Sequence, residues 1–257
     1  MRTAVVYLCA GLAASACAGS KPGERASAPD ESKPSPTPDS SAREMIIRTR
    51  MQGHERLGEA MRDAMARGDL DEVKGDAKLL GELRIDTSNS ELWRRMLDAT
   101  KAAAARIVVA SDLKEVSRGI GAVAKTCGDC HTLMGRPGKI VGYERAQGPS
   151  VPAGMQHHQW AAAQLWDGLV VPSDEAWNWG ALALSEAQLT PEQLTPGKSP
   201  AQGVVDMTQT VRALGHKAAD VERVDVRADL YGDLLATCAA CHQWLGGGPD
   251  AESSGNR

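Results

Sequence analysis

The sequence has no phenylalanine, and six tryptophans and three tyrosines are its only aromatic residues. Aromatic side chains usually dominate core packing, so a chain of 257 residues with so few needs another large group to fill its interior. Positive charge is not in excess either, because the formal net charge is −4, which argues against a nucleic-acid-binding protein. The sequence also lacks an apolar run of about 18 residues or more, so no transmembrane helix is predicted.

The chain contains six cysteines, an even number that would suit three disulfides. Their positions do not suit a disulfide framework. Cys9 and Cys17 lie in an apolar N-terminal segment, and the other four form two close pairs far apart in the chain. The N-terminal cysteines and the paired cysteines therefore serve different purposes.

Residues 1–16 have the composition of a signal peptide, with an apolar stretch of small residues that is too short to span a bilayer. Small residues before Cys17 are typical of a lipoprotein signal, after which Cys17 is lipidated and becomes the first residue. The alternative is simple cleavage near Ala16 or Ala18, which yields a secreted soluble protein. A lipoprotein signal predicts a lipid-anchored protein of the periplasm or cell envelope, and both alternatives place the protein outside the cytoplasm.

Residues 17–42 are rich in serine, proline and charged residues and show no apolar period, so we predict a disordered tether. The rest of the chain is a duplication. The sequence Met-x-x-His recurs after 104 residues, and Cys-x-x-Cys-His recurs after 111 residues. The repeated residues are Met51 and His54 with Met155 and His158, then Cys127, Cys130 and His131 with Cys238, Cys241 and His242.

Apolar periodicity and capping residues predict four helices in each copy and no strand. In the first copy the helices are expected at about 43–67, 70–84, 89–110 and 111–135, and in the second at about 153–170, 174–188, 200–219 and 225–245. We therefore predict two helical domains at 43–134 and 152–246, a linker at 135–151 and a disordered tail at 247–257. Asp69 and Ser173 are expected N-caps.

The two Cys-x-x-Cys-His motifs point to a specific chemistry. Two cysteines three residues apart on a helix project to the same side, where each can form a thioether with one vinyl group of haem. The histidine that follows is then placed to bind the iron. Cys127, Cys130, Cys238 and Cys241 would thus attach two haem c groups, with His131 and His242 as proximal iron ligands.

Zinc binding and disulfide formation are the competing roles for the cysteine pairs. A Cys₄ zinc site would have to combine pairs from different domains, and it would not account for the histidine after each pair. Disulfides are possible outside the cytoplasm, but a spacing of three residues on a helix has poor disulfide geometry. Haem attachment accounts for all the residues of both motifs.

Four helices with Cys-x-x-Cys-His on the last one resemble the cytochrome c′/cytochrome c556 family. The resemblance covers most of 43–134 and 152–246, as a tandem pair. It implies an all-α fold of two up-down-up-down four-helix bundles, each with a covalent haem near the C-terminal end of its fourth helix. In such a bundle the start of the first helix lies near the end of the fourth, on the distal side of the haem.

Three possibilities are open for the distal side. His54 and His158 could be the sixth iron ligands, giving low-spin haems with two histidines each. Met51 and Met155 lie on the same helix faces, and a methionine is the ligand that c556-like members of the family use. In the third possibility, as in c′-like members, no residue binds and the iron is five-coordinate.

We therefore expect a dihaem c-type cytochrome that is an electron carrier and not an enzyme. It would transfer single electrons between redox proteins outside the cytoplasm, contacting a membrane only through its lipid anchor and binding no nucleic acid. The alternative is a module that binds or senses nitric oxide or carbon monoxide at an open distal site. A peroxidase would need an open iron and an acid–base residue, and the sequence does not single one out.

Overall fold

The computed structural model describes residues 38–84, 90–135, 150–186 and 189–246. Within these ranges the chain forms nine α-helices and no strand, which confirms the predicted all-α fold class. The predicted signal peptide, lipidated Cys17 and C-terminal tail lie outside the described residues, as do most of the predicted tether and linker. In the described part of the chain, no helix is long and apolar enough to cross a membrane.

The first copy of the repeat contains four helices close to the predicted positions. They are α1 (Pro38–Arg67), α2 (Leu70–Glu82), α3 (Glu91–Val109) and α4 (Leu113–Leu133). Helix α1 begins five residues before the predicted start, inside the segment assigned to the tether. Proline is compatible with the first turn of a helix, because its missing N–H would have no intrahelical acceptor there.

The second copy repeats this order and adds one short helix. Its elements are α5 (Val151–Val170), α6 (Asp174–Ser185), α7 (Pro191–Leu194), α8 (Gln202–Ala219) and α9 (Val224–Leu245). Helix α7 is closed by a capping box between Thr190 and Gln193. It lies where the second copy is longer than the first, so the extra residues form a small helix between α6 and α8.

Local capping explains most of the helix starts. The side chain of Asp69 accepts a hydrogen bond from Glu72 N at 3.0 Å, and that of Ser173 accepts one from Ala176 N at 3.1 Å. Asp112 caps α4 in the same way. Each cap satisfies an N–H that has no partner inside its own helix. The predicted caps at Asp69 and Ser173 are therefore confirmed.

The described residues from Ala42 onward belong to one compact unit, and both copies contribute to its apolar core. Within the first copy α2 packs on α3 and α3 on α4, and within the second α5 packs on α6 and α6 on α8. The copies meet where α4 packs on α9 and α5. The predicted domains 43–134 and 152–246 thus share one continuous interior.

Two glycines at equivalent repeat positions allow α4 and α9 to come close. A Cβ on Gly121 would lie 2.2 Å from Ala228 O, and one on Gly232 would lie 2.8 Å from Arg118 Cα. Beside this crossing, Arg118 pairs with Asp233 across the interface at 3.1 Å. The close contact therefore depends on the absence of a side chain at the same position of each copy.

Candidate functional site

Each Cys-x-x-Cys-His motif lies at the C-terminal end of the last helix of its copy. Cys127, Cys130 and His131 are in the last turns of α4, and Cys238, Cys241 and His242 are in those of α9. All four thiols are free and half-buried. The structure therefore places the two predicted attachment motifs in equivalent positions, as the duplication requires.

Burial controls the protonation of these thiols. It raises the pKa of Cys127 and of Cys238 to about 12, and it also raises the pKa of Cys130 and Cys241. The thiols thus remain protonated at neutral pH. Because the thiolate is the form that reacts in disulfide formation, the raised pKa values disfavour oxidation of these pairs.

The two motif histidines are held by reciprocal hydrogen bonds between the copies. His131 Nδ1 lies 2.8 Å from the carbonyl oxygen of Val170, at the end of α5 in the second copy. His242 Nδ1 lies 2.6 Å from the carbonyl oxygen of Ala66, at the end of α1 in the first copy. Ala66 and Val170 are equivalent positions of the repeat. Each copy therefore orients the motif histidine of the other.

These hydrogen bonds decide which nitrogen of each ring can bind a metal. A carbonyl oxygen only accepts, so Nδ1 of His131 and of His242 carries a proton, which leaves Nε2 as the nitrogen that could bind a metal. Histidines that bind metals usually donate their other ring N–H to a backbone carbonyl in this way. The carbonyls of Ala66 and Val170 are in the last turns of their helices, where oxygens lack intrahelical donors.

Close backbone packing supports both hydrogen bonds. A Cβ on Gly128, inside the first motif, would lie only 2.1 Å from the carbonyl oxygen of Leu169. The equivalent residue of the second motif, Ala239, is fully buried. Beside it, Gln243 Nε2 donates to the carbonyl oxygen of Gly68 at 3.3 Å. Each motif therefore docks directly on the end of a first helix from the other copy.

The distal candidates His54 and His158 have an unusual environment for histidine. The Nε2 atoms of both rings are buried and have no hydrogen-bond partner. Burial lowers the pKa of His54, and the positive charge of Lys101 lowers it further. Burial also lowers the pKa of His158 to about 4, with additional effects from His157, His242 and Arg212. Both rings are therefore neutral at physiological pH.

His158 and His242 are close enough for the charge of one to act on the other. Helices α5 and α9, which carry these two histidines, also pack on one another. Met51 and Met155 lie one turn before the two histidines and are half-buried. The neighbouring ring of His157 is directed toward α6 instead. Its Nε2 lies 3.3 Å from the carbonyl oxygen of Ala183, and the ring stacks on Trp160.

A second group of polar side chains is buried between α1, α5 and α9. Arg62 Nη1, Asp167 Oδ2 and Tyr231 Oη are buried without a hydrogen-bond partner, and Arg62 interacts electrostatically with the other two. Burial raises the pKa of Asp167 to about 6, although the charge of Arg62 opposes this shift. The Tyr231 ring packs at a tilt on Trp166, with 6.0 Å between ring centroids.

No group of three or more histidine, cysteine, aspartate or glutamate side chains that could hold a metal ion occurs in the described residues. A haem does not need such a group, because the porphyrin supplies four of the iron ligands and the protein only the axial ones. Buried Nε2 atoms without partners and histidines fixed through Nδ1 both fit axial ligation. The residues present are therefore compatible with haem.

Sequence reasoning missed the residues that act across the copies. The carbonyl groups of Ala66 and Val170 have no side-chain signature, so no motif could identify them. Within each copy, the cations Lys101 and Arg212 do have a signal, because they are separated by the same 111 residues as the Cys-x-x-Cys-His motifs. Aligning the two copies with an offset of 111 residues places Lys101 opposite Arg212.

In comparisons with known proteins, no family model, no curated protein and no solved structure matches this chain. Fold and site together define a duplicated all-α protein with one Cys-x-x-Cys-His motif in each copy.

Proposed function

We propose that the protein is a dihaem c-type cytochrome that transfers single electrons between redox proteins outside the cytoplasm. One haem c would be attached to Cys127 and Cys130 and the other to Cys238 and Cys241. In this proposal each copy is a four-helix unit of the cytochrome c′/c556 type. A bound haem supplies an iron that can gain and lose one electron.

The observation that carries this proposal is the reciprocal anchoring of His131 and His242. Each ring donates Nδ1–H to a carbonyl, and the Nε2 lone pair is left available. If the histidine only stabilised the end of the helix, there would be no reason for it to follow two cysteines in both copies. The duplicated arrangement is explained if both rings are proximal iron ligands.

The cysteines fit the role of attachment points. Addition of a thiol S–H across a vinyl group forms a C–S bond and places the hydrogen on the other vinyl carbon, so no atom is lost. The two thiols of each motif match the two vinyl groups of one haem. The high pKa values would slow the oxidation of each pair to a disulfide before attachment.

His54 and His158 are the distal ligands in this proposal, and Met51 and Met155 are the alternative. The histidines are favoured because a buried ring nitrogen without a partner is costly, and binding of iron would remove that cost. A buried thioether needs no partner, so nothing comparable favours the methionines. Two histidine ligands would give low-spin haems of low reduction potential.

We also propose that the mature protein begins at a lipidated Cys17 and is held at a membrane surface by this anchor. The support is the signal-like composition of residues 1–16 and the small residues before Cys17. Polar residues between Cys17 and the first helix would separate the helical unit from the lipid.

The proposed function is tested by expressing the full chain in a bacterial host that attaches haem c and measuring the intact mass of the purified protein. We expect the mass of the mature chain plus two haems, with an additional lipid mass on Cys17. Replacing Cys127 and Cys130 by alanine is expected to remove one haem, and replacing Cys238 and Cys241 the other. A wild-type protein without covalent haem would overturn the proposal.

Optical and paramagnetic resonance spectra of the same protein test the distal ligands. We expect two low-spin haems that do not bind carbon monoxide, and one high-spin haem after His54→Ala or His158→Ala. His216→Ala is the matched control, because His216 is exposed on α8. Two high-spin haems that bind carbon monoxide in the wild type would instead indicate a gas-binding protein.

A further inference from the structure

The second copy contains a segment that the first copy lacks, and this segment packs on the first turns of α5. Helices α2 and α3 are joined by residues 83–90, whereas α6 and α8 are joined by residues 186–201, which include α7. We call residues 189–194 the α7 segment. Its first residue, Leu189, is only 5% exposed. A Cβ on Gly154 would lie 2.6 Å from Leu189 Cδ2 and 2.7 Å from its Cγ, so the leucine rests directly on the backbone of α5.

The contact between Leu189 and Gly154 is on the helix face that carries His158. Gly154 precedes His158 by four residues, so the two positions lie on one face of α5, one turn apart. Side chains on a helix lean back toward its N-terminus, so the His158 ring extends over the turn that contains Gly154. Leu189 therefore covers α5 on the side toward which the ring of the proposed distal ligand is directed.

Hydrogen bonds hold the α7 segment in this position. Arg212 on α8 donates from its guanidinium to the carbonyl oxygen of Leu189 at 3.4 Å. The capping box closes the next turn, because Thr190 N donates to Gln193 Oε1 at 2.9 Å and Gln193 N donates to the Thr190 hydroxyl at 3.3 Å. Leu189 is thus fixed between a bond to α8 and a capped helical turn.

The described part of the first copy has no such cover. The residue equivalent to Gly154 is Arg50, 104 residues earlier, and Arg50 is exposed. The residue equivalent to Arg212 is Lys101, which lines a cavity of about 610 Å³ between the end of α2 and the first half of α3. The equivalent cation therefore contacts the α7 segment in one copy and a cavity in the other.

We propose that the α7 segment closes the distal side of the second haem to exogenous ligands, that Leu189 determines this closure, and that the first haem remains accessible. The inference rests on the proposed function, which places the second iron at His158 Nε2. An apolar side chain packed on the backbone leaves no path for a small molecule, so entry requires local opening of the segment. The two haems would then differ in task. The second transfers electrons only, and the first can also take a small neutral ligand such as carbon monoxide when its sixth position is free.

The test is the rate at which carbon monoxide binds to the reduced holoprotein after one distal ligand is removed, measured by flash photolysis. His54→Ala frees the sixth position of the first haem, and His158→Ala that of the second. We expect binding to the second haem to be about tenfold slower or more, because it has to wait for local opening of the α7 segment. If the methionines are the ligands, Met51→Ala and Met155→Ala provide the same comparison. If the wild type already binds carbon monoxide, variants that retain only one Cys-x-x-Cys-His motif provide it.

Three further variants in the His158→Ala protein test the role of Leu189. Leu189→Ala should raise the slow rate by about tenfold, toward that of the first haem, because it uncovers Gly154. Leu189→Met retains the volume and should stay slow. Glu192→Ala is the matched control, because Glu192 is exposed on the same short helix, and it should leave the rate unchanged. Amide hydrogen exchange is a second readout, and it should become faster in the first turns of α5 with Leu189→Ala only.

Failure of the inference is distinguishable from failure of the proposed function. If two covalent haems are present and carbon monoxide binds to both at equal rates, the inference is overturned and the function is retained. The same holds if the second haem is slower but Leu189→Ala leaves its rate unchanged, or if Glu192→Ala raises that rate as much as Leu189→Ala. Absence of covalent haem overturns both.

Discussion

At the residue scale, the two nitrogens of each histidine ring have different tasks. In His131 and His242, Nδ1 donates to a backbone carbonyl and Nε2 remains available. In His54 and His158, Nε2 is buried without a partner, and burial holds the pKa of each ring below its usual value. Burial thus favours the neutral form of His54 and His158, while the hydrogen bonds of His131 and His242 leave Nε2 as the ring nitrogen that could bind a metal.

The buried carboxyl group of Asp167 provides a test at this scale. Its pKa in the folded protein is about 6, against an ordinary value of 3.8. Its contribution to stability is therefore full below pH 3.8 and is lost as the pH rises through 6. We expect Asp167→Asn to raise the free energy of unfolding by about 1–2 kcal/mol at a pH of about 7.5, with allowance for partial exposure.

The measurement for Asp167→Asn is urea unfolding of wild type and variant at about pH 7.5 and about pH 4.5. The difference between them should shrink at the lower pH, where the carboxyl of Asp167 is protonated in the folded state. Asp63→Asn is the matched control, because Asp63 is the equivalent residue of the first copy and accepts a hydrogen bond from Arg62 at 2.9 Å. A gain in stability that is independent of pH would contradict this explanation.

At the element scale, most helix boundaries follow from short-range chemistry. The Asp69 and Ser173 caps could be identified because capping depends on a side chain and a backbone N–H only three residues away. The early start of α1 at Pro38 was not predicted, because serine and proline are also typical of a tether. Proline fits a first turn as well as an extended chain.

The crossing of α4 and α9 provides a test of packing between elements. In Gly121→Ala the new Cβ would lie 2.2 Å from Ala228 O, so the helices would have to move apart. Backbone atoms cannot adjust as a flexible side chain can. We expect the free energy of unfolding to fall by about 2 kcal/mol, measured by urea denaturation.

Gly75→Ala is the matched control for Gly121→Ala, because Gly75 is also helical but a Cβ added there would have no atom within 4 Å. It should raise stability by about 0.5–1 kcal/mol, since alanine is the better helix former. Gly232→Ala should behave like Gly121→Ala. Neutral or stabilising effects at both Gly121 and Gly232 would show that the helices are not in close contact.

At the scale of the whole molecule, the two copies are interlocked. The ring of His131 is anchored on the second copy and that of His242 on the first, and the apolar core continues through both. Neither proposed haem site is therefore complete within one copy. Electron exchange between the haems would take place inside one compact unit.

This interlocking predicts the result of cutting the chain between the copies. A protease site inserted within residues 136–149 would divide the chain into its two halves after folding. We expect the halves to remain together, since α4 packs on α9 and α5 across the division. Size-exclusion chromatography should show one species of unchanged size, with an unchanged optical spectrum. Separation of the halves in native buffer would mean that each copy is an independent domain.

The sequence by itself determined the all-α class, the duplication, the positions of the helices and the residues of both Cys-x-x-Cys-His motifs. These features depend on local periodicity, capping and short spacing, which a linear sequence contains directly. Only the tertiary structure decided that His131 bonds to Val170 and His242 to Ala66 in the other copy. Backbone carbonyls carry no side-chain signal, and which helix end meets which motif depends on long-range packing.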